Sequence, residues 1–337
     1  MSLILVAVEI AEKALIAQVR RLAKSVSNPA VPIGIGDDCA VVRVSGARLK
    51  ENDTLLTTDF SLEGIHFRRD WHSPESVGYR CLARGLSDIA AMGGKPVAAF
   101  LSLALPRDVP QVWVKRFARS LISLAASNGV TLAGGDTAES PDGILADIVV
   151  LGTVPKGKAV LRSGARIGDL VYVSGELGGS AAVVRLMQKE MRRKPGEKPN
   201  PRDYRRHFFP EPRLELGRLL REKSLAAAMI DTSDGLSTDL AHLCEESGVG
   251  AEIHAELVPR ARVGRPKREV DLQLALHGGE DYELLFTAPR TKHIPSRIAG
   301  VPITRIGRIT RSKRILLVNR GEVSKLEALG WEHFRAG

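Results

Sequence analysis

Cysteine is scarce in this chain, aromatic residues are few, and no apolar run approaches the length of a membrane span. The 3 cysteines among 337 residues, Cys39, Cys81 and Cys244, lie far apart with no C-x-x-C pair. That excludes a disulfide framework and a cysteine-type zinc site, and leaves all three as expected core residues. Nowhere are there the ~20 consecutive apolar residues that crossing a bilayer requires. The opening MSLILVAVEIAEKALIAQVRRLAKS begins apolar, yet no basic leader precedes it and Glu9 and Glu12 follow. It reads as an amphipathic helix and not as a signal. A bacterial-type cytoplasmic location without membrane attachment is expected.

What is present has the balance of a globular protein, 44% hydrophobic and 26% charged. The length suits about two domains, able to bury roughly three quarters of the unfolded surface. The formal charge of +10 has its densest source in QKEMRRKPGEKPNPRDYRRHFF at 188–209. That segment lacks the interleaved stacking aromatics of a single-strand platform, so it is expected to be a solvated surface insertion, and nucleic acid is not an expected partner. There is no low-complexity tract and no short-period repeat.

Periodicity divides the chain into alternating elements. A strand is expected at Thr54–Thr58, closing on Asp59. Ser73-Pro74-Glu75 opens a helix with Val77, Cys81, Leu82, Leu86 and Ile89 inward, stopped by Gly93-Gly94. VAAFLSLAL (97–105) reads as a strand buried on both faces, PQVWVKRFARSLISLAASNG as a helix, and VTLAGGD and ILADIVVLGTV as two more strands. The pattern breaks at PKGKAVLRSGARIGD, which sets expected domains at 1–155 and 156–337. The second half reads as the strand LVYVSG, a Gly-rich turn, the helix SAAVVRLMQKE, helices near 213–223 and from Leu236 to Ser247, and the strands GAEIHAEL, YELLFTA and RILLVN. The class is α/β (α+β), with two α/β domains.

Aspartates gather next to these strands and glycines: Asp37 and Asp38 in GIGDDCAVV, Asp59 in LLTTD, Asp88 in GLSDIAAMGG, Asp136 in LAGGDT, Asp231 and Asp234 in MIDTSDG. Singly each has a bland account. Asp88 could pair with Arg84 one turn back, Asp234 could cap the helix at Leu236, and Asp37 could be a turn residue. As a set they are harder to dismiss, since two carboxylates ~4 Å apart repel by about 4 kcal/mol at an effective dielectric near 20. Convergence therefore demands cations. Thr57, Thr58 and Ser233 add neutral oxygens, and an all-oxygen set without His or Cys suits magnesium far better than zinc.

Magnesium among acids implies phosphates. GTVPKGKA nearly spells a P-loop, but Ala159 replaces the metal-ligating hydroxyl and Pro155 removes a backbone donor. GIGDDC has Cys39 where a dinucleotide fingerprint needs its third glycine. What remains are glycine pairs, Gly134-Gly135, Gly278-Gly279 and Gly178-Gly179, whose N–H groups could meet phosphate or simply make tight turns. There is no Ser-His-Asp or Cys-His set.

IGIGDDCAVV, TTDFSLEGIHF, LSDIAAMGGKP, LAGGDT, IDTSDGLSTDL and HGGEDYELLFT occur in an order and spacing that resembles the thiamine-monophosphate kinases of the aminoimidazole ribonucleotide synthetase superfamily. The likeness covers about residues 30–337. It implies ATP-dependent conversion of thiamine monophosphate to thiamine diphosphate, several magnesium ions, and a homodimer whose N-terminal sheets pair. On matching positions it implies Asp38, Thr57, Thr58, Asp59, Asp88, Asp136, Asp231 and Asp234 for metal. ATP falls to Gly135, Asp136, Arg162 and Ser233, and the acceptor to His66, Glu280 and Trp331. Val8-Glu9-Ile10 stands where the family usually opens with Gly-Glu-Phe. A phosphate monoester acceptor has its second pKa near ~6, so its oxygen is already ionised and no catalytic side chain is expected as general base. His66 could instead be a satisfied loop residue, and Trp331 could pack in an amphipathic tail or offer its face to a thiazolium cation. Two other readings stand beside this one. The first is another ATP-using superfamily member, of selenophosphate or aminoimidazole ribonucleotide synthetase type, and the second is a non-catalytic divalent-cation-binding protein.

Overall fold

The computed structural model describes residues 12–23, 28–43, 51–193 and 205–334. Val8-Glu9-Ile10 and residues 194–204 of the basic segment lie outside them. Helix α1 (Glu12–Ala23) is followed by a five-stranded sheet in the order β1 (Ala40–Val42), β2 (Asn52–Leu62), β5 (Leu145–Pro155), β3 (Lys95–Leu105), β4 (Thr131–Glu139). Only β3 and β4 run parallel. Helices α2 (Pro74–Ala91) and α3 (Gln111–Ser127) cover one face. The start of α2 is as its sequence dictates: Ser73 accepts from the Ser76 N–H at 3.2 Å, and Pro74 takes the first helical position, where no N–H is needed. Its inward stripe, Val77, Cys81, Leu82, Leu86 and Ile89, packs with Leu55, Ile148 and Val150 of the sheet. Each such side chain contributes about 1.5–3 kcal/mol on full burial.

The strand expected to stop at Thr58 continues. β2 pairs residue by residue with β5 from Asn52 to Leu62, because a strand tolerates polar side chains wherever its alternation sends them to a wet or ligand-binding face. Likewise β3 is not buried on both faces, since Val97 and Phe100 are exposed where no helix covers the sheet. The end of the basic segment is no solvated surface either: His207 and Phe208 of α5 (Arg205–Phe208) are buried. All three cysteines are buried and free.

A second sheet has the order β15 (Glu322–Lys325), β14 (Ile315–Asn319), β8 (Gly250–His254), β13 (Val301–Thr310), β6 (Leu170–Ser174), β11 (Leu284–Ala288), β7 (Ala228–Asp231). Of these, β7, β13 and β15 are not among the strands expected from the sequence. Helices α7 (Leu236–Ser247) and α8 (Leu272–His277) close one core over Val171, Val173, Ile230, Leu285 and Ile309. The opposite face, with Tyr172, Met229 and Phe286, packs on α6 (Leu214–Glu222) and on Ala90 and Ala91 of α2. That third core joins the halves, and it needs a glycine: a Cβ on Gly217 would lie 2.0 Å from the Ala90 carbonyl oxygen. Among the described residues no helix is long and apolar enough to cross a membrane.

Candidate active site

Three elements send acids to one point. Asp38 comes from the turn before β1, Asp88 from α2 and Asp231 from the end of β7, and one oxygen of each lies within 4.8 Å of the others. At such separations each carboxylate pair repels by on the order of 3–4 kcal/mol. Burial, then repulsion from Asp59, Asp231 and Asp38, pushes the Asp88 carboxyl well above its usual range. Burial and Asp38 push Asp231 up to about 8, and burial and Asp38 push Asp37 to about 7. Local partners offset part of this. Ser87 donates to Asp231 at 2.6 Å, Thr57 donates to Asp88, and Arg162 grips Asp38 with two N–H groups at 2.8 and 3.1 Å. The donors are oxygens throughout, carboxylate and hydroxyl, a set that fits magnesium.

Face alternation divides the residues of β2 between the two sides of the sheet. Thr57 is buried beneath α2, and Asp59 meets Arg84 at 3.3 Å on the same side. Thr58 points to the uncovered face, where its hydroxyl donates to Asp147 at 2.7 Å. Gly135 and Asp136 are exposed on the edge strand β4 and are not among the convergent oxygens. Gly135 has no alternative there, with φ +154° and a Cβ position 1.8 Å from the Leu101 carbonyl oxygen. The bland accounts of the acids fail in two places. Arg84 pairs with Asp59 and not with Asp88, and α7 is capped by Gly235, whose N–H goes to Asp239 at 2.9 Å, while Asp234 stays free of that task.

Two loops are laced together beside the acids. The Glu280 N–H donates to the Ser233 carbonyl at 2.7 Å, and Tyr282 and Thr232 bond at 3.0 Å. The Trp331 N–H reaches the Asp234 carbonyl at 2.9 Å. So Ser233, Asp234, Glu280 and Trp331, from three distant motifs, share one edge of the site. Asp234 is pushed up to about 6 by burial and by Glu12. Glu280 sits at φ +65°, a conformation that costs about 1–3 kcal/mol for a side-chain-bearing residue. Burial opposes its charge, but Arg80 at 2.5 Å and Arg84 beyond it hold the carboxyl below its ordinary range. His66 accepts from the Leu62 N–H at 3.0 Å through Nδ1, and burial and then Arg84 lower its pKa to about 3. It is a neutral ring. His333 stacks edge-on with His66 at 5.5 Å and with Trp331 at 5.7 Å, and Trp331 is 51% exposed.

Sequence reasoning missed Ser87, Arg80, Arg84 and His333. The first three carried a usable signal, because positions 80, 84 and 87 fall on one face of α2, next to Asp88. His333 carried none. The glycines at 178–179 offer no free phosphate cradle: Asp281 takes the N–H groups of Gly178 and Ser180 at 2.5 and 3.1 Å.

The comparisons with known proteins agree with this geometry. Residues 36–154 match the N-terminal domain of the AIR synthase related proteins, and 166–318 match their C-terminal domain. The chain is 38% identical to the thiamine-monophosphate kinase of Escherichia coli K12 over 314 residues, covering 90% of this chain and 92% of that protein. It is 35% identical to the Bacillus subtilis enzyme of the same name, covering 93% and 96%. The solved complex of AaThiL with AMPPCP and TMP superposes with a TM-score of 0.81 at 32% identity, over 99% of this chain and 100% of that one. With both domains matched and these identities sustained over most of its length, the chain belongs to the thiamine-monophosphate kinase family of AIR synthase related proteins.

Proposed function

We propose that this chain phosphorylates thiamine monophosphate with ATP to give thiamine diphosphate, by direct magnesium-assisted transfer without a general base. The observation that carries this reading is the convergence of Asp38, Asp88 and Asp231, a buried anionic group that calls for cations. The family's solved complex with AMPPCP and TMP supports the substrate pair. Magnesium bound there would neutralise nucleotide phosphate oxygens and the charge on the transferring group. Asp38, Asp88 and Asp231 would hold it together with Thr57, Asp59 and Asp234. Thr58 and Asp136 would join from the uncovered face and edge strand of the first sheet. Gly135, Asp136, Arg162 and Ser233 would meet ATP, and Arg162 already stands on Asp38.

On the acceptor side, Glu280 and the neutral His66 would orient the substrate and Trp331 would cover its rings. A monoester with its second pKa near ~6 arrives ionised, and an imidazole titrating at about 3 is a poor base at neutral pH. The work left to the protein is in-line positioning and charge neutralisation. Leu56, Phe60, Val97 and Phe100 expose an apolar face on the first sheet, which we assign to homodimer pairing in the cytoplasm, where ATP and magnesium are at hand. ATP consumption is the test, with thiamine monophosphate, thiamine and aminoimidazole precursors as acceptors. Only the first should support turnover, and a preference for an aminoimidazole acceptor would move the chain to another superfamily activity. Phe60→Glu should shift sedimentation towards monomer.

A further inference from the structure

Arg84 stands between the metal-binding acids and the acceptor side, and no motif accounts for it. Its guanidinium faces Asp59 at 3.3 Å and Glu280 at 3.9 Å. Both separations are long, since charge-assisted N···O pairs close to ~2.7–2.9 Å. Arg80 already occupies the near side of Glu280 at 2.5 Å. The Nε of Arg84 has no hydrogen-bond partner, and among the described residues it is the only buried side-chain nitrogen or oxygen in that condition. A buried donor left unmade costs ~1–3 kcal/mol. Such an arrangement persists where a ligand completes it. Arg84, Arg80 and His66 also line one small cavity with Ser61 and Phe67.

We propose that Arg84 receives the phosphate monoester of the acceptor, its planar fork donating through Nε and one Nη to two phosphate oxygens. The proposal rests on the reading of a phosphorylated acceptor given above. Geometry favours Arg84 over Arg80, whose two arms are engaged by Glu280 and the His207 carbonyl. A guanidinium matches phosphate oxygens bidentately, where an ammonium acts as a point charge. A phosphate held there would lie beside Asp59 of the metal set, and the arginine would offset repulsion between two polyanions.

Calorimetric titration tests this on the full chain with magnesium and no nucleotide, comparing thiamine monophosphate with thiamine. Wild type should prefer the phosphorylated compound by ~30-fold or more, and Arg84→Gln should cut that preference at least ~10-fold while thiamine affinity holds. Arg84→Lys keeps the charge and loses the fork, so it should raise KM for thiamine monophosphate by about 10-fold with KM for ATP unchanged. An unaltered preference in folded Arg84→Gln overturns the assignment. If that variant does not fold, an unaltered KM in Arg84→Lys overturns it. Should wild type itself show no preference for the phosphorylated compound, the acceptor reading fails and not the role of Arg84 alone.

Discussion

Asp231 and His72 are each 3% exposed, yet the polar groups around them are in opposite states. His72 belongs to a closed chain. Its Nδ1 accepts from the Arg68 N–H at 3.2 Å, its Nε2 meets His207 Nε2 at 3.0 Å, and His207 Nδ1 meets the Ser180 hydroxyl at 2.8 Å. Burial keeps both rings neutral, His72 near about 3 and His207 well below its ordinary value. Neutral imidazoles pair with one another without charge, so that region is complete as it stands. Asp38, Asp88 and Asp231 share no such option. Each carboxylate accepts and none donates unless protonated, so burial and then repulsion between the aspartates drive protons onto Asp88 and Asp231. The difference teaches that burial of titratable groups does not mark a ligand site, whereas burial of like charges without enough partners does.

The largest effect expected from breaking this contrast is catalytic. Asp231→Asn and Asp59→Asn keep the shape and remove a charge, so turnover should fall at least ~100-fold, a barrier rise of about 2.7 kcal/mol. Melting of the metal-free variants should be equal to or above the parent. Near-normal turnover in both would end the reading of Asp59 and Asp231 as metal ligands.

Next comes stability. His207→Ala should cost about 1–3 kcal/mol, through unpaired His72 and Ser180, and leave turnover of the folded protein within ~3-fold, the size of a sub-kcal/mol effect. A ~100-fold loss of turnover at unchanged melting would make the histidine chain part of the chemistry.

The pH dependence of the metal-free protein should have opposite signs for the two groups. Carboxyls raised in the fold, Asp231 to about 8 and Asp37 to about 7, bind protons more tightly folded than unfolded. They favour folding most below the unfolded carboxylate pKa of ~3.9, and that contribution is lost as pH rises towards about 8. Histidines lowered in the fold act the other way: their contribution is present above the unfolded pKa of ~6.5 and lost as pH falls towards about 3. Urea unfolding in EDTA from pH ~5 to ~8 should therefore show stability falling at the alkaline end, and magnesium should flatten it by offsetting the carboxylates. An unchanged alkaline slope in saturating magnesium would count against metal binding at the cluster.

The smallest effect belongs to Trp331, exposed and outside both buried groups. Trp331→Ala should raise KM for thiamine monophosphate by roughly 10-fold, ~1.4 kcal/mol, with KM for ATP nearly constant. Melting should fall far less than the equivalent of ~3–5 kcal/mol that a core tryptophan costs. A large drop in melting would assign it to packing.

Local signals in the chain were enough for much of this. Ser73-Pro74 marks the start of α2, the apolar spacing from Leu236 to Ser247 defines α7, and the aspartate-bearing motifs point to oxygen-ligated metal. These depend on neighbours within a few residues, which a linear reading contains. Whether Asp59 or Thr58 faces α2 depends instead on which side of β2 the helices cover, and a one-residue change of phase reverses it. Only packing decides that. Glu280 held by Arg80, Trp331 hung on Asp234, and Arg84 set between Asp59 and Glu280 join residues up to 200 positions apart. No local rule relates them, because the third core between α2, α6 and the second sheet sets those distances. The sequence by itself thus determined which atoms are available for the chemistry, and tertiary structure alone decided which of them meet, because electrostatic repulsion and unmade hydrogen bonds arise only when distant groups are brought out of water together.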